Sequence, residues 1–381
     1  MLKRPLKQDL IAVVVLFLCS FALFFIPPAE QLAMQKGERT RAVVTAVDNS
    51  NVVLHGLLKY GEQSVEAKVS EGKFKGQTFL GVNTLLAQME VDKEFQVGDK
   101  IILVINDNDQ AMQGAVIAQD YDRSFYMWLL VGLFCLALIL FGSWTGLKAL
   151  LSFIFSCVVI WKGVIPLVLH GYDPIFISFL TVCLLTLVIQ FLVGGFNKKG
   201  LVAFLGAISG ILFGLIIAHI FTKLMQINGA VLPYSQALFY SGYDFLKIQN
   251  IFIGAMILAS SGAVMDLAMD ISTGMYEISF HKKDISQMEL LKSGIQIGRN
   301  VVGTMTTTLL LAYSGGYITL LMLFYAQGIE VLAFLNNPLV ASEAVKTLIG
   351  SFSLILVAPL TALIGSIFFG GEKQKNKSDI Q

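Results

Sequence analysis

The sequence predicts a mainly α, polytopic helical membrane protein of eight spans, with a small extracytoplasmic β-barrel-like (OB-like) domain between spans one and two. Three observations predict it. The 381 residues are 55% hydrophobic and 14% charged, with a mean hydropathy of +0.72, whereas soluble chains sit near ~45–50% apolar and ~25% charged. The charge is also concentrated. Residues 30–123 hold 10 Lys and Arg and 14 Asp and Glu, and the other 287 residues share the remaining 29 charges. Finally, eight apolar stretches are long enough to cross a hydrocarbon core of ~30 Å, which takes ~20 helical residues.

The first element, residues 1–28, opens with Lys3, Arg4 and Lys7 and continues into an apolar run at about 9–28. A cleaved signal peptide would share the charged start. The apolar run is long, however, and Pro27-Pro28-Ala29-Glu30 offers no small-x-small cleavage site, which favours an uncleaved anchor helix.

Residues 29–123 are the aqueous domain, with β-structure expected over 38–122. Ala42–Val47 and Val52–His55 are runs rich in β-branched residues, separated by the turn residues Asp48-Asn49-Ser50-Asn51. The alternating stretch Gln63–Val69 follows, and then Gly98-Asp99 opens Ile101–Ile105, which ends at Asn106-Asp107-Asn108-Asp109. Short strands at roughly ten-residue spacing indicate a small barrel or sandwich, and about 85 residues suffice for five strands. Gly72-Lys73-Phe74-Lys75-Gly76 is a basic loop within it, either a ligand loop or a solvated hairpin.

Seven further spans fill residues 124–370, at roughly 124–142, 147–169, 174–194, 200–222, 249–272, 300–325 and 346–370, leaving a tail at 371–381. Basic residues set the orientation. Lys3, Arg4, Lys7, a turn at Lys148, Lys198, Lys199, Lys282, Lys283, Lys292, Arg299, Lys373, Lys375 and Lys377 fall on one side, and the opposite short loops hold only Lys223, Lys247 and Lys346. Both termini are therefore expected in the cytoplasm and residues 29–123 outside the plasma membrane.

Several function classes are excluded by composition. A net charge of +1, with the aqueous segment mildly acidic, offers no field to recruit nucleic acid. The cysteines Cys19, Cys135, Cys157 and Cys183 lie singly within apolar runs, where they behave as small hydrophobes. No phosphate-cradling loop or zinc-binding HExxH occurs, and His55, His170, His219 and His281 are scattered. Neither an enzyme, a metal site nor a cofactor is expected. The partners expected are the lipid bilayer and either a second copy or an envelope protein.

Ionisable groups within spans are costly, so they are where function is sought. Asp266 and Asp270 lie in span six, and offsets of 4, 7 and 11 put Asp266, Asp270, Thr273 and Glu277 on one helix face. Two carboxylates one turn apart repel, and a proton, a cation or a basic partner must relieve them. Arg299 and Asn300 open span seven, and Asn300, Thr304 and Thr307 share a face there. Two readings follow. Arg299 can pair with an acid and lock spans six and seven together. Alternatively, Asp266 and Asp270 with the hydroxyls of Thr304 and Thr307 form a proton or cation site, since hard cations prefer oxygen, and Arg299 is a counter-charge. Ser314-Gly315-Gly316 and Pro359 interrupt the last two spans. Gly206, Gly210 and Gly214 form overlapping GxxxG motifs that bring a neighbouring helix close. Lys162 is expected to snorkel to an interface, His219 to hydrogen-bond near one, and Gln190 to bond between helices.

The run Ser261-Gly262-Ala263-Val264-Met265-Asp266-Leu267-Ala268-Met269-Asp270-Ile271-Ser272 resembles the signature of the YibE/YibF membrane proteins. So do Gly298-Arg299-Asn300-Val301-Val302-Gly303-Thr304-Met305-Thr306-Thr307-Thr308-Leu309 and Ala312-Tyr313-Ser314-Gly315. Gly98-Asp99-Lys100, Asp120–Arg123, Ile165-Pro166 to Asp173-Pro174, and Val357–Ala362 extend the likeness over most of residues 38–370. The resemblance implies the multi-pass architecture and leaves the mechanism to the residues. Asn300 departs from it, standing where an Asp is expected, which removes one acid from the site. The expected function is a proton- or cation-coupled transporter or exporter component. The alternative is a non-transporting scaffold or assembly factor whose β-domain binds an envelope partner.

Overall fold

The computed structural model describes residues 37–106, 116–195 and 197–370. The expected anchor at 9–28, the Asp107–Asp109 end of a strand and the tail at 371–381 lie outside the described residues. Two compact units divide the chain, with the boundary between Ala137 and Leu138.

The first unit is a closed five-stranded barrel of β1 (Gly37–His55), β2 (Leu58–Val69), β3 (Thr78–Leu86), β4 (Lys100–Asn106) and β5 (Val116–Tyr121). The strand order is β1-β2-β3-β5-β4, and β4 closes the ring onto β1. All pairings are antiparallel except the short β3–β5 contact at Gly81–Val116 and Val82–Ile117. Alternate residues point inward, as a pleated strand requires, and the core holds Val44, Val65, Ala67, Phe95, Ile101 and Leu103. At its centre Gln63, fully buried, receives Phe95 N–H at 3.0 Å and donates to the Phe95 carbonyl at 2.9 Å. Asn83 donates to Gln63 Oε1 at 3.0 Å.

The expected turn at Asp48–Asn51 is instead a bulge inside one long strand. Asp48 Oδ1 accepts from Ser50 N at 2.9 Å, which absorbs the one extra residue while pairing resumes at Asn51–Glu62. Gly61 makes this possible: its φ is +118°, and a Cβ there would overlap the Asn51 carbonyl oxygen. The reversal falls at Gly56, with φ +66°. The Gly72–Gly76 loop is anchored by Phe74, which packs edge-on to Phe79 with centroids 5.6 Å apart.

The helical elements are α1 (Ser124–Val158), a π-helical turn (Val159–Val164), α2 (Ile165–Leu169), α3 (Pro174–Gly194), α4 (Lys198–Leu224), α5 (Ser235–Tyr240), α6 (Ile248–His281), α7 (Gln287–Gly316), α8 (Ile318–Ala326), α9 (Val331–Asn336) and α10 (Pro338–Phe369). Among the described residues, five helical segments are long and apolar enough to cross a membrane. A sixth is obtained if α7 and α8, bent by 67°, count as one broken span. These apolar helices mark a membrane protein.

The longest of the five runs over 46 residues, Ser124–Leu169, more than twice the hydrocarbon thickness at 1.5 Å per residue. It breaks at Ser143 (φ 49°, ψ −127°), so sharply that a Cβ on Gly146 would overlap the Leu138 carbonyl oxygen. The break thus precedes the expected turn at Lys148, which is buried at 6% exposure. The π-helical turn before Pro166 has a local cause. A proline ring crowds the carbonyl four residues earlier, here that of Lys162, and cannot donate to it.

The remaining helices differ from expectation mainly at their ends. Asp173 caps α3 by accepting from Ile175 N, and Asn197 caps α4 through Gly200 N. α6 runs to His281, nine residues past the expected end, so the whole acid stripe lies on one helix. α7 begins at Gln287 behind a reciprocal Ser286–Glu289 capping box and stops at Gly316. α10 continues unbroken through Pro359.

Candidate functional site

The packing of α6, α7 and α10 locates the two acids. Ile297 Cδ1 would lie 2.8 Å from a Cβ on Gly274, and Ile271 Cδ1 3.2 Å from one on Gly298. Met275 faces Gly294, and Ser260 and Leu309 both face Gly350 of α10. Positions fall along α6 as they rise along α7, so the two helices are antiparallel. That register puts Asp266 level with Thr304 and Asp270 level with Asn300.

Helix rotation then gives the faces, at about 100° per residue. Ile297 turns toward α6, and Thr304 and Thr308 lie within about 20° of the same direction, with Asn300 about 60° off. Thr307 sits on the adjoining edge. Arg299, two positions beyond Ile297, is rotated by about 200° and points away from α6. On α6, the acid face lies between the side that packs on α7 and the side that packs on α3. The α3 side is marked by Gly254 against Ser178 and by Gln190 Nε2, which donates to the Met265 carbonyl at 2.8 Å.

Asp266, Asp270, Asn300, Thr304 and Thr307 are all exposed. Gly262 and Gly303 each have open space where a side chain would be. Neither carboxylate has a hydrogen-bond or ion-pair partner among the described residues, and neither does Arg299. The expected lock between Arg299 and an acid is thus not formed. The threonine hydroxyls are oriented by their own helix. Thr304 donates to Val301 O at 2.9 Å, Thr307 to Gly303 O at 3.1 Å and Thr308 to Thr304 O at 3.0 Å. With the protons spent on carbonyls, the oxygen lone pairs face outward as acceptors.

The structure therefore brings Asp266, Asp270 and Thr304 to one open strip, with Thr307 at its edge, and sets Arg299 apart. Asn300 belongs to the strip through its level with Asp270, and its Oδ1 accepts from Gln296 at 3.2 Å. Thr308 was missed by sequence reasoning, although its four-residue offset from Thr304 is a helix-face signal. Gln190, expected only as an interhelical bonder, is 2% exposed and keeps an unpaired Oε1 beside the acid-bearing turn. Among the described residues no cluster of three or more His, Cys, Asp or Glu could hold a metal ion.

The GxxxG face of α4 is used for packing on α10. A Cβ on Gly206 would overlap Thr361 Oγ1, one on Gly214 would overlap Ser353 Oγ, and one on Gly210 would stand 2.7 Å from Val357 Cβ.

Comparison with known proteins bears on both units. Residues 35–119 match the YibE/F family N-terminal domain, and residues 130–371 match the YibE/F-like protein family. No curated protein and no solved structure matches the chain. The match from 130 to 371 spans well over half of the sequence and includes every member of the acid strip, and with the N-terminal match it makes the chain a member of the YibE/F family.

Proposed function

We propose that this chain is a proton- or cation-coupled transporter or exporter component of the plasma membrane, with Asp266 as the group that takes up the ion. One observation carries the reading: two carboxylates one turn apart stand without a basic partner among the described residues, on a helix apolar enough to cross a membrane. Burying charge in hydrocarbon is expensive, so an unneutralised pair calls for a proton or cation. Thr304, level with Asp266, supplies an oxygen, and Asp270 tunes its neighbour by repulsion. Arg299, turned away, leaves the acids free to exchange that ion. The chain acts without covalent chemistry of its own.

The topology that accompanies this reading has eight spans. The break at Ser143 divides the 46-residue segment into two crossings, the bent α7–α8 pair counts as one, and the apolar run at 9–28 adds the first. Both termini are then cytoplasmic and the barrel extracytoplasmic, in line with the basic residues.

The test is thermal stability of the detergent-purified protein against Na⁺, K⁺ and pH, with Asp266→Asn beside the wild type. An ion that binds only the folded state stabilises it by about 2.7 kcal/mol at 100 times its Kd. A saturable shift in the wild type that vanishes in Asp266→Asn is expected. An ion-independent wild type would refute the coupling. The scaffold alternative draws on the barrel's exposed apolar rim, where Leu57 is 92% and Met89 80% exposed. A partner that co-purifies through residues 38–122, together with ion-independent stability, would favour it.

A further inference from the structure

The barrel unit carries a second concavity, remote in sequence from the acid strip. A cleft of about 850 Å³ opens where the barrel meets the first turns of α1, lined by Arg41, Glu71, Asp99, Lys100, Arg123 and Trp128 among others. Its three cations are not equivalent. Arg41 is held by Glu71 and Asp122, each at 3.1 Å, and Arg123 by Asp120 at 2.7 Å. The Lys100 ammonium is exposed and makes no hydrogen bond or close ion pair among the described residues, its one electrostatic neighbour being the Asp122 carboxylate that Arg41 already holds.

The sequence fixes how deep this cleft lies if α1 enters a bilayer. No charged residue occurs between Arg123 and Lys148, so hydrocarbon begins within the first turns after Ser124. Phe125, Tyr126 and Trp128 are 71%, 72% and 73% exposed. Aromatic side chains of this kind settle at the headgroup level, where one end is wet and the other apolar. The cleft thus sits at phosphate depth, with an unpaired ammonium at its rim and aromatic surface below it.

We propose that this cleft binds the headgroup of a membrane phospholipid, with Lys100 contacting the phosphate. Arg41 and Arg123, already paired, add positive field, while Tyr126 and Trp128 lie along the glycerol and upper acyl chains. Glu71, Asp99 and Asp122 share the lining, which suits a headgroup whose primary ammonium, next to its phosphate, can donate N–H bonds to carboxylates as the quaternary ammonium of phosphatidylcholine cannot. A phosphatidylethanolamine-type lipid therefore fits better than a purely anionic one. The inference needs α1 in the bilayer and is independent of the acid strip.

The experiment uses the full chain in nanodiscs of phosphatidylcholine doped with either phosphatidylethanolamine or phosphatidylglycerol, with retained lipid counted by native mass spectrometry. The wild type should retain phosphatidylethanolamine preferentially. Lys100→Ala should lower that retention about tenfold, the effect of losing one hydrogen bond to a charged phosphate. Trp128→Ala should lower retention of every lipid while keeping the headgroup preference. Thermal unfolding and size exclusion of the full chain check that both variants stay folded, as side chains so exposed allow. Equal retention by wild type and folded Lys100→Ala would overturn the proposal. So would a preference for phosphatidylglycerol, or displacement of the lipid by millimolar inorganic phosphate, which would mark a site for soluble anions.

Discussion

The barrel and the helical unit satisfy their buried polar groups in opposite ways. In the barrel, Gln63 gathers Asn49, Asn83 and both main-chain groups of Phe95 into one network that crosses from strand to loop. In the helices, most buried hydroxyls turn back on their own backbone. Ser351 donates to Thr347 O at 2.8 Å, Ser353 to Ile349 O at 3.0 Å and Ser366 to Leu363 O at 2.8 Å. Contacts from side chain to a different helix, such as Gln190 to Met265 O and Ser272 to Lys199 O, are few. The barrel is specified by polar side chains reaching across it, and the helical unit by how closely its backbones approach.

The strongest way to break that contrast is to fill the α4–α10 seam. Gly210→Leu should separate the two helices and cost about 3 kcal/mol or more, seen as loss of monodisperse protein on size exclusion. The same change at Gly303, which faces open space, should be tolerated. Next comes Gln63→Leu, which strands the Phe95 N–H and carbonyl and leaves the Asn83 amide only its bond to the Lys93 carbonyl. A cost of about 2–4 kcal/mol is expected from several unpaired buried groups, read as a lower barrel transition in thermal unfolding of the full chain. Gln190→Leu removes the same amide from the helical unit and should cost about 0.6 kcal/mol, the average for membrane hydrogen bonds. Its unpaired Oε1 makes the loss smaller still. If Gln190→Leu proved as damaging as Gln63→Leu, the contrast would fail.

The smallest effect concerns pH at the base of the barrel. Hydrogen bonds from Ser124, with help from Arg41, hold the Asp122 carboxyl below the ordinary carboxylate value. A depressed folded-state pKa means that its stabilisation is complete above the unfolded value and disappears as pH falls through the folded one. The wild type should therefore lose a small part of its barrel stability on acidification below about pH 4. Asp122→Asn should remove that acid limb of the profile.

What could be read in advance differs between the two units for the same reason. Apolar runs of helical length announce themselves, and α3 falls at 174–194 as expected because Asp173 and Pro174 mark its start and Gly195 its end. The barrel's β4 was legible from Ile101–Ile105. In contrast, β3 (Thr78–Leu86) and β5 (Val116–Tyr121) mix Gly, Asn and Gln with apolar residues and take their shape from pairing with distant strands. Asp48–Asn51 has the composition of a turn and became a bulge because Gly61, ten residues away, yields space to it. Within the site, the acids were visible from charge and spacing. The direction of Arg299 was not, because it depends on Gly294 and Gly298 packing against α6 and α10.

The seam between α4 and α10 also determines what can move. Gly206, Gly210 and Gly214 let α4 approach Thr361, Val357 and Ser353 so closely that any added side chain would collide, and close packing of this kind resists sliding. The two helices behave mechanically as one rod. On the far side, α8 and α9 bury none of their residues, and Gly315 and Gly316 meet nothing within 4 Å. The helical unit thus has a stiff part at the glycine seam and a compliant one at the α7–α8 bend.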